Sequence, residues 1–179
     1  MDKASTEPTS YAFYFQTSDN WNLIRDQYFI RDNRVKIKLF EINFYNRKHY
    51  FDTVYLDMTQ QTGYAYCESR GQRRCSDPDR EFLVEYSDFI IKTPMEWMRE
   101  VPYNAAWVGT EQIDNRAADI IEYERNDGTT VRMKVDAYSG VPREIWVYQG
   151  SMENVVEKYA FRDFAINAVK ESDMDHQFN

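Results

Sequence analysis

The chain has 179 residues, of which 42% are hydrophobic and 29% charged, a composition typical of a folded globular domain and not of a disordered chain. Its formal net charge of −8 argues against binding to nucleic-acid phosphates and against electrostatic attachment to an anionic membrane, since both need a basic surface. Aromatic residues make up 16%, which favours β-strands and surfaces that are apolar at one end and hydrated at the other.

The N-terminal residues 1–10 are polar and lack the apolar segment of a signal peptide. We interpret them as a flexible tether. Two explanations stay open: a cytosolic protein with a frayed N terminus, or a chain in which Met1 replaces a signal or lipid-attachment segment. We expect residues 11–172 to form a single domain and residues 173–179 to form a polar C-terminal tail.

Alternation of apolar and polar residues with period two recurs along the chain. In Arg34–Leu39 and in residues 130–136, apolar side chains point one way and cations the other, which predicts strands with one dry and one wet face. Tyr11–Phe15, Ile145–Tyr148 and Tyr159–Phe161 carry bulky side chains on both faces. These strands are predicted to be covered on both sides or to face a cavity.

Turn signals separate the predicted strands. They are Asp32-Asn33, Asn126-Asp127-Gly128, Ser139-Gly140 and Gly150-Ser151, and each contains residues that tolerate a positive φ. Short links between consecutive strands predict an antiparallel meander, with about ten strands by this pattern.

Two cysteines, Cys67 and Cys75, flank a polar loop that contains a glycine. An even number of cysteines close in sequence favours a disulfide that closes a hairpin, and two unpaired thiols are the alternative. The spacing is not that of a zinc site, so we predict no metal. Three cations of this loop, Arg70, Arg73 and Arg74, form a candidate partner-binding site for an acidic protein or for lipid head groups; a solvated hairpin tip is the alternative.

One segment, residues 93–102, breaks the strand pattern. Thr93 is a suitable N-cap, Pro94 suits the first helical position and Glu96 completes a capping box, while Pro102 ends the helix. Its apolar side carries Trp97 together with Met95 and Met98. These side chains either fill the core or form a lid over an apolar cavity, a role that suits methionine.

The search for catalytic motifs returns little. The two histidines are His49 and His176, and no nucleophile elbow, phosphate-binding loop or zinc-protease motif is present. We therefore predict a protein that is not an enzyme and has no cofactor. A carboxylate-based hydrolase remains the less favoured alternative; its candidate residues are Asp52, Asp57, Glu111, Asp114, Asp119, Glu122 and Glu124.

Two segments of the C-terminal half carry a family resemblance. Val108–Arg116 is similar to a hairpin of the form G-x-E-x-hydrophobic-x-G/N, and Val135–Arg143 is similar to a segment of the form hydrophobic-D-x-x-S/T-G-hydrophobic-P. In this order, over residues 104–172, they resemble the lipoprotein-carrier (LolA-like) superfamily.

This resemblance implies a fold that is mainly β with minor α: a strongly curved antiparallel half-barrel with a short helix over its concave face. It further implies an envelope or extracellular protein, in some cases lipid-anchored, that accommodates acyl chains or other lipids in an apolar cavity. Its partners would be a hydrophobic ligand, a lipidated protein or another envelope protein. A protein-interaction or envelope-stress sensor module without a small ligand is the alternative. We expect the following residues to line the cavity: Phe13, Phe15, Trp97, Met98, Ile121, Trp146 and Tyr159.

Overall fold

The computed structural model describes residues 8–21, 23, 26–45, 49–69, 74–75 and 77–176. Its regular elements are strands β1 to β11 and one α-helix, α1. The strands are Ser10–Thr17, Gln27–Arg31, Arg34–Tyr45, His49–Asp57, Thr62–Tyr66, Phe82–Val84, Ala106–Ile113, Arg116–Glu124, Thr129–Asp136, Pro142–Gln149 and Val155–Ile166; α1 is Pro94–Arg99, and short 3-10 turns lie at Ser18–Asn20, Tyr86–Asp88 and Glu171–Asp173.

The strands form an antiparallel sheet in the order β6-β5-β4-β3-β2-β1-β11-β10-β9-β8-β7. Among the described strands β6 and β7 are the two edges, so the sheet is not closed into a barrel. The prediction of a mainly β, antiparallel fold with one short helix is confirmed, with eleven strands instead of about ten.

Contacts divide the chain into two compact units. Unit 1 comprises Met1–Tyr14, Ile24–Ile91 and Asp163–Asn179, and unit 2 comprises Phe15–Leu23 and Lys92–Arg162. The single domain expected for residues 11–172 stays a prediction.

The core of unit 1 lies on one face of strands β1 to β6. Phe13 lies opposite Tyr28, which lies opposite Ile37, and Val54 continues the row. Because directly opposed residues point to the same face, these side chains form a continuous buried layer. Its other buried members are Tyr11, Ile30, Val35, Leu56, Ala65 and Val84.

Residues 167–176 cover part of the other face of the unit 1 sheet. Val169 and Met174 pack there against Ala12 and Phe29. The wet face predicted for Arg34–Leu39 is therefore wrong at its centre, where Lys36 is only 4% exposed. Residues 173–176, expected to begin a polar tail, carry the buried Met174.

Unit 2 has a simpler division of faces. The row Ile121–Met133–Ile145–Tyr159 runs across strands β8 to β11 on one face, and Met133 and Ile145 are fully buried. The opposite face carries Arg132, Lys134 and their carboxylate partners, as expected for a strand with one wet face.

The Asp136 side chain explains one of the family-like motifs. Its carboxylate accepts hydrogen bonds from the backbone N–H of Tyr138 at 3.1 Å, and from the backbone N–H and hydroxyl of Ser139 at 2.8 and 2.9 Å. Gly140 follows with φ of 71°, a conformation that glycine adopts without steric cost. The motif therefore specifies the turn between β9 and β10.

Candidate functional site

The site is built around α1 of unit 2. The helix begins as the sequence predicts: Thr93 Oγ1 accepts from the Glu96 backbone N–H at 3.3 Å, and the Glu96 carboxylate accepts from the Thr93 backbone N–H at 2.7 Å. This capping box fixes the first turn. It also orients Trp97, which is 3% exposed.

Two cations and one aromatic side chain contact the Trp97 ring. Lys92 Nζ is 3.6 Å and Arg125 Cζ 4.8 Å from the ring centroid, distances at which a cation is attracted to the face of an indole. The Tyr159 ring lies 5.5 Å from Trp97. These contacts dock α1 on the strands of unit 2.

Three of the seven predicted lining residues contact one another here, and Ile121 and Met98 lie on the same sheet face and the same helix as members of that group. Phe15 packs on Tyr159 with ring centroids 6.1 Å apart, Tyr159 contacts Trp97, and Ile121 lies in the same cross-strand row as Tyr159. Met98, next to Trp97 in α1, is half-buried. Phe15, Ile121 and Tyr159 are also half-buried, so this apolar face is only partly covered.

The other two predicted lining residues lie elsewhere. Phe13 belongs to unit 1, where its ring stacks on Tyr28 at 5.6 Å and on Phe164 at 5.8 Å. Trp146 lies in unit 2 opposite Arg132 and Lys158, on the face that does not carry Ile145. Adjacent residues of a strand point to opposite faces, and for this reason Trp146 is separated from Tyr159.

A cavity of about 620 Å3 that is widely open to solvent lies at the C-terminal end of α1; its lining residues are Glu100, Pro102, Tyr123, Glu124, Arg125, Asn126 and Asp127. Arg125 connects this cavity to the apolar face, because the same guanidinium lies over Trp97. None of the seven predicted residues lines this cavity. Five of its seven lining residues are charged or amide residues, whereas an apolar cavity was predicted.

The wall of this cavity carries three carboxylates and one guanidinium, so its charge is net negative. The Glu100 carboxylate forms ion pairs with Lys92 and, at 3.4 Å, with Arg125. Burial raises the pKa of the Tyr123 hydroxyl, an effect that the positive charge of Arg125 opposes. Burial also raises the pKa of Tyr159, and the carboxylate of Glu157 adds to this rise. Both phenols therefore remain neutral hydrogen-bonding groups at neutral pH.

The cavity residues Glu100, Tyr123 and Arg125 were not predicted from the sequence. Glu100 follows α1, and Arg125 directly precedes the turn at Asn126. The convergence of Arg125 on Trp97 depends on how the helix docks on the sheet. No local spacing signals such a contact.

The disulfide between Cys67 and Cys75 is confirmed, with Cα atoms 5.1 Å apart. Asp52 supports this loop by accepting hydrogen bonds from the backbone N–H groups of Glu68 and Ser69, both at 2.8 Å. Asp52 and the two cysteines are the one group of three metal-ligand side chains in the described part of the chain. The two sulfurs are bonded to each other in the disulfide, so neither is available as a thiolate ligand.

Of the three predicted partner-binding arginines, Arg70 and Arg73 lie outside the described residues, as does the side chain of His49. Arg74 lies 5.5 Å over the Tyr50 ring, and Tyr50 stacks on Phe44 at 4.5 Å. Both rings are partly exposed. Arg74 therefore joins a small aromatic surface beside the disulfide.

The carboxylates considered for a hydrolase mostly have structural partners. Asp119 accepts from Trp107 and Thr110, and Asp114 pairs with Arg143 and Arg162. Four others are also engaged: Asp52, Asp57, Glu111 and Glu122. These partners favour roles in turns and ion pairs.

Comparison with known proteins gives likeness of fold. No family model matches the sequence, and no curated protein matches it. An uncharacterized conserved protein from Thermus thermophilus matches with a TM-score of 0.51 at 6% identity, over 94% of this chain and 85% of that chain. MucB matches with a TM-score of 0.50 at 15% identity, over 98% of this chain and 59% of that chain. The chain thus spans less than two thirds of MucB.

The matching structures include a LolA superfamily protein from Nitrosomonas europaea, with a TM-score of 0.34 at 10% identity over 95% of this chain and 91% of that chain. A LolA superfamily protein is thus among the matching structures, as the resemblance of the hairpin motifs led us to expect, and the likeness of fold itself rests on the Thermus thermophilus protein and MucB. MucB has also been solved in complex with MucA(peri). None of the described helices has the length and apolar character needed to cross a membrane.

Proposed function

We propose that this protein is a non-catalytic binding protein of the periplasm, cell surface or extracellular space, and that it holds an amphiphilic ligand with an acyl or lipid-like part beside α1. The observation that carries the proposal is the 620 Å3 cavity at the end of α1, whose wall residue Arg125 also lies over Trp97. Its volume is in the range of small-molecule sites.

In this proposal the apolar part of the ligand contacts the half-buried face formed by Phe15, Ile121 and Tyr159, with Met98 beside it. The polar end reaches the cavity, where Arg125 and the Tyr123 hydroxyl supply hydrogen-bonding groups. The sheet of unit 2 is then strongly curved around α1, and movement of the helix would admit the ligand. Such a site retains its ligand by burial of apolar area.

The disulfide supports the proposed location, because disulfides persist in the periplasm and outside the cell and are rare in the cytosol. A carrier or sensor that binds a lipidated protein would use the same face, with the acyl chain as the part recognised. The carboxylates considered for a hydrolase take part in turns and ion pairs, and this supports a protein that binds without catalysis.

The test uses a long-chain fatty acid that carries an environment-sensitive dye. The natural chain is expected to bind the probe saturably, and Tyr159→Ala and Arg125→Gln are each expected to weaken binding by about tenfold, the effect of roughly 1.4 kcal/mol. Tyr138→Ala, at a fully exposed tyrosine, is the matched control. Equal affinity in all four proteins, or no saturable binding, would contradict the proposal.

A second candidate function is recognition of an acidic partner protein by the loop of Arg70, Arg73 and Arg74. The exposed rings of Phe44 and Tyr50 beside Arg74 favour it, because aromatic and arginine side chains are enriched in interface hot spots. Replacement of the three arginines by alanine should remove binding partners recovered from envelope extract. Unchanged recovery would exclude the loop.

A further inference from the structure

Residues 167–176 of unit 1, here called the acidic segment, lie across the face of the sheet opposite its core. Two apolar side chains anchor them: Val169 and Met174 are buried against Ala12 and Phe29. The other side chains on this stretch include the carboxylates of Glu171, Asp173 and Asp175. The segment is thus amphipathic, with apolar anchors five positions apart.

The sheet meets the acidic segment with cations. Arg31 Nε lies 2.8 Å from a Glu171 carboxylate oxygen, and Arg34 contacts the other oxygen of the same carboxylate. Arg34 also pairs with Asp175 at 3.4 Å. The two guanidinium groups lower the pKa of Glu171, which keeps it ionised. Charge complementarity therefore sets the register of the segment on the sheet.

A second set of contacts holds the end of the acidic segment. The His176 ring stacks on Tyr66 with centroids 3.9 Å apart, and its Nδ1 lies 2.7 Å from Glu68 Oε1. Its Nε2 lies 3.3 Å from Asp79 Oδ1. The Tyr55 hydroxyl donates to Glu68 at 2.5 Å. The sheet therefore offers an aromatic and acidic recess that accepts an imidazole.

The acidic segment contacts the sheet as a bound peptide would. It is not a strand of the sheet, and the sheet reaches its backbone mainly through side chains: Arg31 Nη1 and Ser10 Oγ both donate to the Val169 carbonyl, at 2.8 and 3.2 Å. Most of its residues other than Val169 and Met174 are exposed. Segments with few buried contacts open at low free-energy cost.

We propose that this face of the unit 1 sheet, from Ala12 and Phe29 through Arg31 and Arg34 to Tyr66, is a docking surface for an acidic peptide segment of a partner protein, and that residues 167–176 occupy it in cis. The partner segment carries two apolar anchors about five positions apart, carboxylates between and after them, and a histidine two positions after the second anchor, which is the pattern of contacts that the surface already satisfies. The surface belongs to unit 1, whereas the ligand site at α1 belongs to unit 2.

The face selects a peptide over other anions. A phosphate or a lipid head group would pair with Arg31 and Arg34, but it would leave the apolar contacts at Ala12 and Phe29 unfilled. It would also leave the recess at Glu68 and Asp79 facing an anion. An acidic peptide with two apolar anchors and a histidine near its end, as in residues 167–176, satisfies all three parts together.

The experiment measures whether a peptide in trans replaces the segment in cis. A labelled peptide with the sequence of residues 166–176 is titrated with the full chain, and anisotropy is recorded. In the double variant Val169→Ser, Met174→Ser, the weakened segment competes less, so peptide affinity should rise at least about tenfold over the natural chain, because a tethered competitor acts at millimolar effective concentration. Ser172→Ala, at an exposed position, should leave affinity unchanged.

Charge reversal supplies the second arm. Arg31→Glu with Arg34→Glu, added to the double variant, should abolish peptide binding, and a peptide with lysine in place of Glu171 and Asp175 should restore it. Glu171→Arg in the natural chain serves as a second way to release the segment if the double variant does not fold. Binding that is absent from both released proteins, or that survives the reversal of both arginines, would overturn the proposal.

Two further measurements distinguish this proposal from a simple anion site and from the ligand site proposed at α1. In the first, inorganic phosphate competes with the peptide, and a peptide that lacks the apolar anchors binds as tightly as the natural one. This result would show an anion site and overturn the peptide assignment. Binding of the fatty-acid probe at α1 should be unaffected in every variant, which distinguishes failure of this proposal from failure of the proposed function.

Discussion

Strands β3 in unit 1 and β9 in unit 2 carry the same alternating pattern, yet their cations have opposite surroundings. Lys36 in β3 is buried, 4.9 Å over the Tyr55 ring and 3.9 Å from Glu68. Lys134 in β9 is partly exposed and pairs with Glu111 at 2.8 Å and with Glu144 at 3.4 Å. Burial lowers the pKa of Lys36. At Lys134 burial acts in the same direction, but hydrogen bonds and charges from Glu111 and Glu144 outweigh it and raise the pKa.

The difference shows that alternation determines which side chains share a face and does not determine what covers that face. In unit 2 the polar face is a set of ion pairs, among them Arg132 with Glu122 and Arg162 with Glu144. In unit 1 a distant part of the same chain, the acidic segment, lies over the corresponding face. The covered face is the one on which a partner segment has a defined place to bind.

The largest expected effect concerns two buried methionines. Met133→Ala removes a fully buried side chain from the core of unit 2 and should lower the free energy of unfolding by about 3–4 kcal/mol. Met174→Ala, in the acidic segment, should cost about 1–2 kcal/mol, since the segment opens locally. Urea unfolding followed by tryptophan fluorescence measures both. Equal losses would show that the segment is as integral as the core strands and would weaken the docking proposal.

Removal of the disulfide should act on unit 1. Replacement of both Cys67 and Cys75 by serine should lower stability by about 2–3 kcal/mol, because a short closed loop no longer restricts the unfolded chain. The same urea titration with and without reductant checks this. A chain whose stability is insensitive to reductant would contradict the structural role of this bond.

The turn at Asp136 predicts a pH dependence in unit 2. Burial alone would raise the pKa of Asp136, but hydrogen bonds from Ser139 and Tyr138 and the charge of Arg116 outweigh it and lower the pKa below its ordinary value. A lowered carboxyl pKa contributes stability above the ordinary value, about 4, that is lost as the pH falls through the folded-state pKa.

Asp136→Asn should therefore cost about 2 kcal/mol at pH 7 and reduce the loss of stability below about pH 4. Stability measured over the range from neutral to strongly acidic pH tests the sign. A variant whose stability curve runs parallel to that of the natural chain over this interval would show that Asp136 does not carry the effect.

The smallest effect is expected in the ion pairs of unit 2. Glu111→Gln should lower stability by about 0.5 kcal/mol, since Glu111 is partly exposed and such pairs are weak. The loss should shrink further in high salt, because salt screens exposed charges. A loss above about 2 kcal/mol would mean that this face is held as firmly as the covered face of unit 1.

Much of the fold followed from local sequence. The capping box at Thr93 and Glu96, the turn glycine Gly140 and the paired cysteines are each specified by neighbouring residues, and the structure has all of them. The burial of Lys36 and the approach of Arg125 to Trp97 were not predictable. Both depend on contacts between residues far apart in sequence, for which a strand or helix pattern carries no signal.

The predicted site shows the same limit at single-residue level. Period-two alternation separates Ile145 from Trp146, so the sequence already placed those two on opposite faces. It did not tell which of the two faces α1 contacts. Trp146 was expected among the lining residues, and its register with Arg132 and Lys158 places it on the face opposite Ile145.

Photo-crosslinking with a fatty acid that carries a diazirine near the end of its acyl chain tests the central claim most directly. Crosslinks to the natural chain are expected to fall within unit 2, on peptides that contain Met98, Ile121 or Tyr159, and excess unlabelled fatty acid should suppress them. Crosslinks confined to unit 1, or spread over the exposed surface without competition, would contradict a ligand site beside α1.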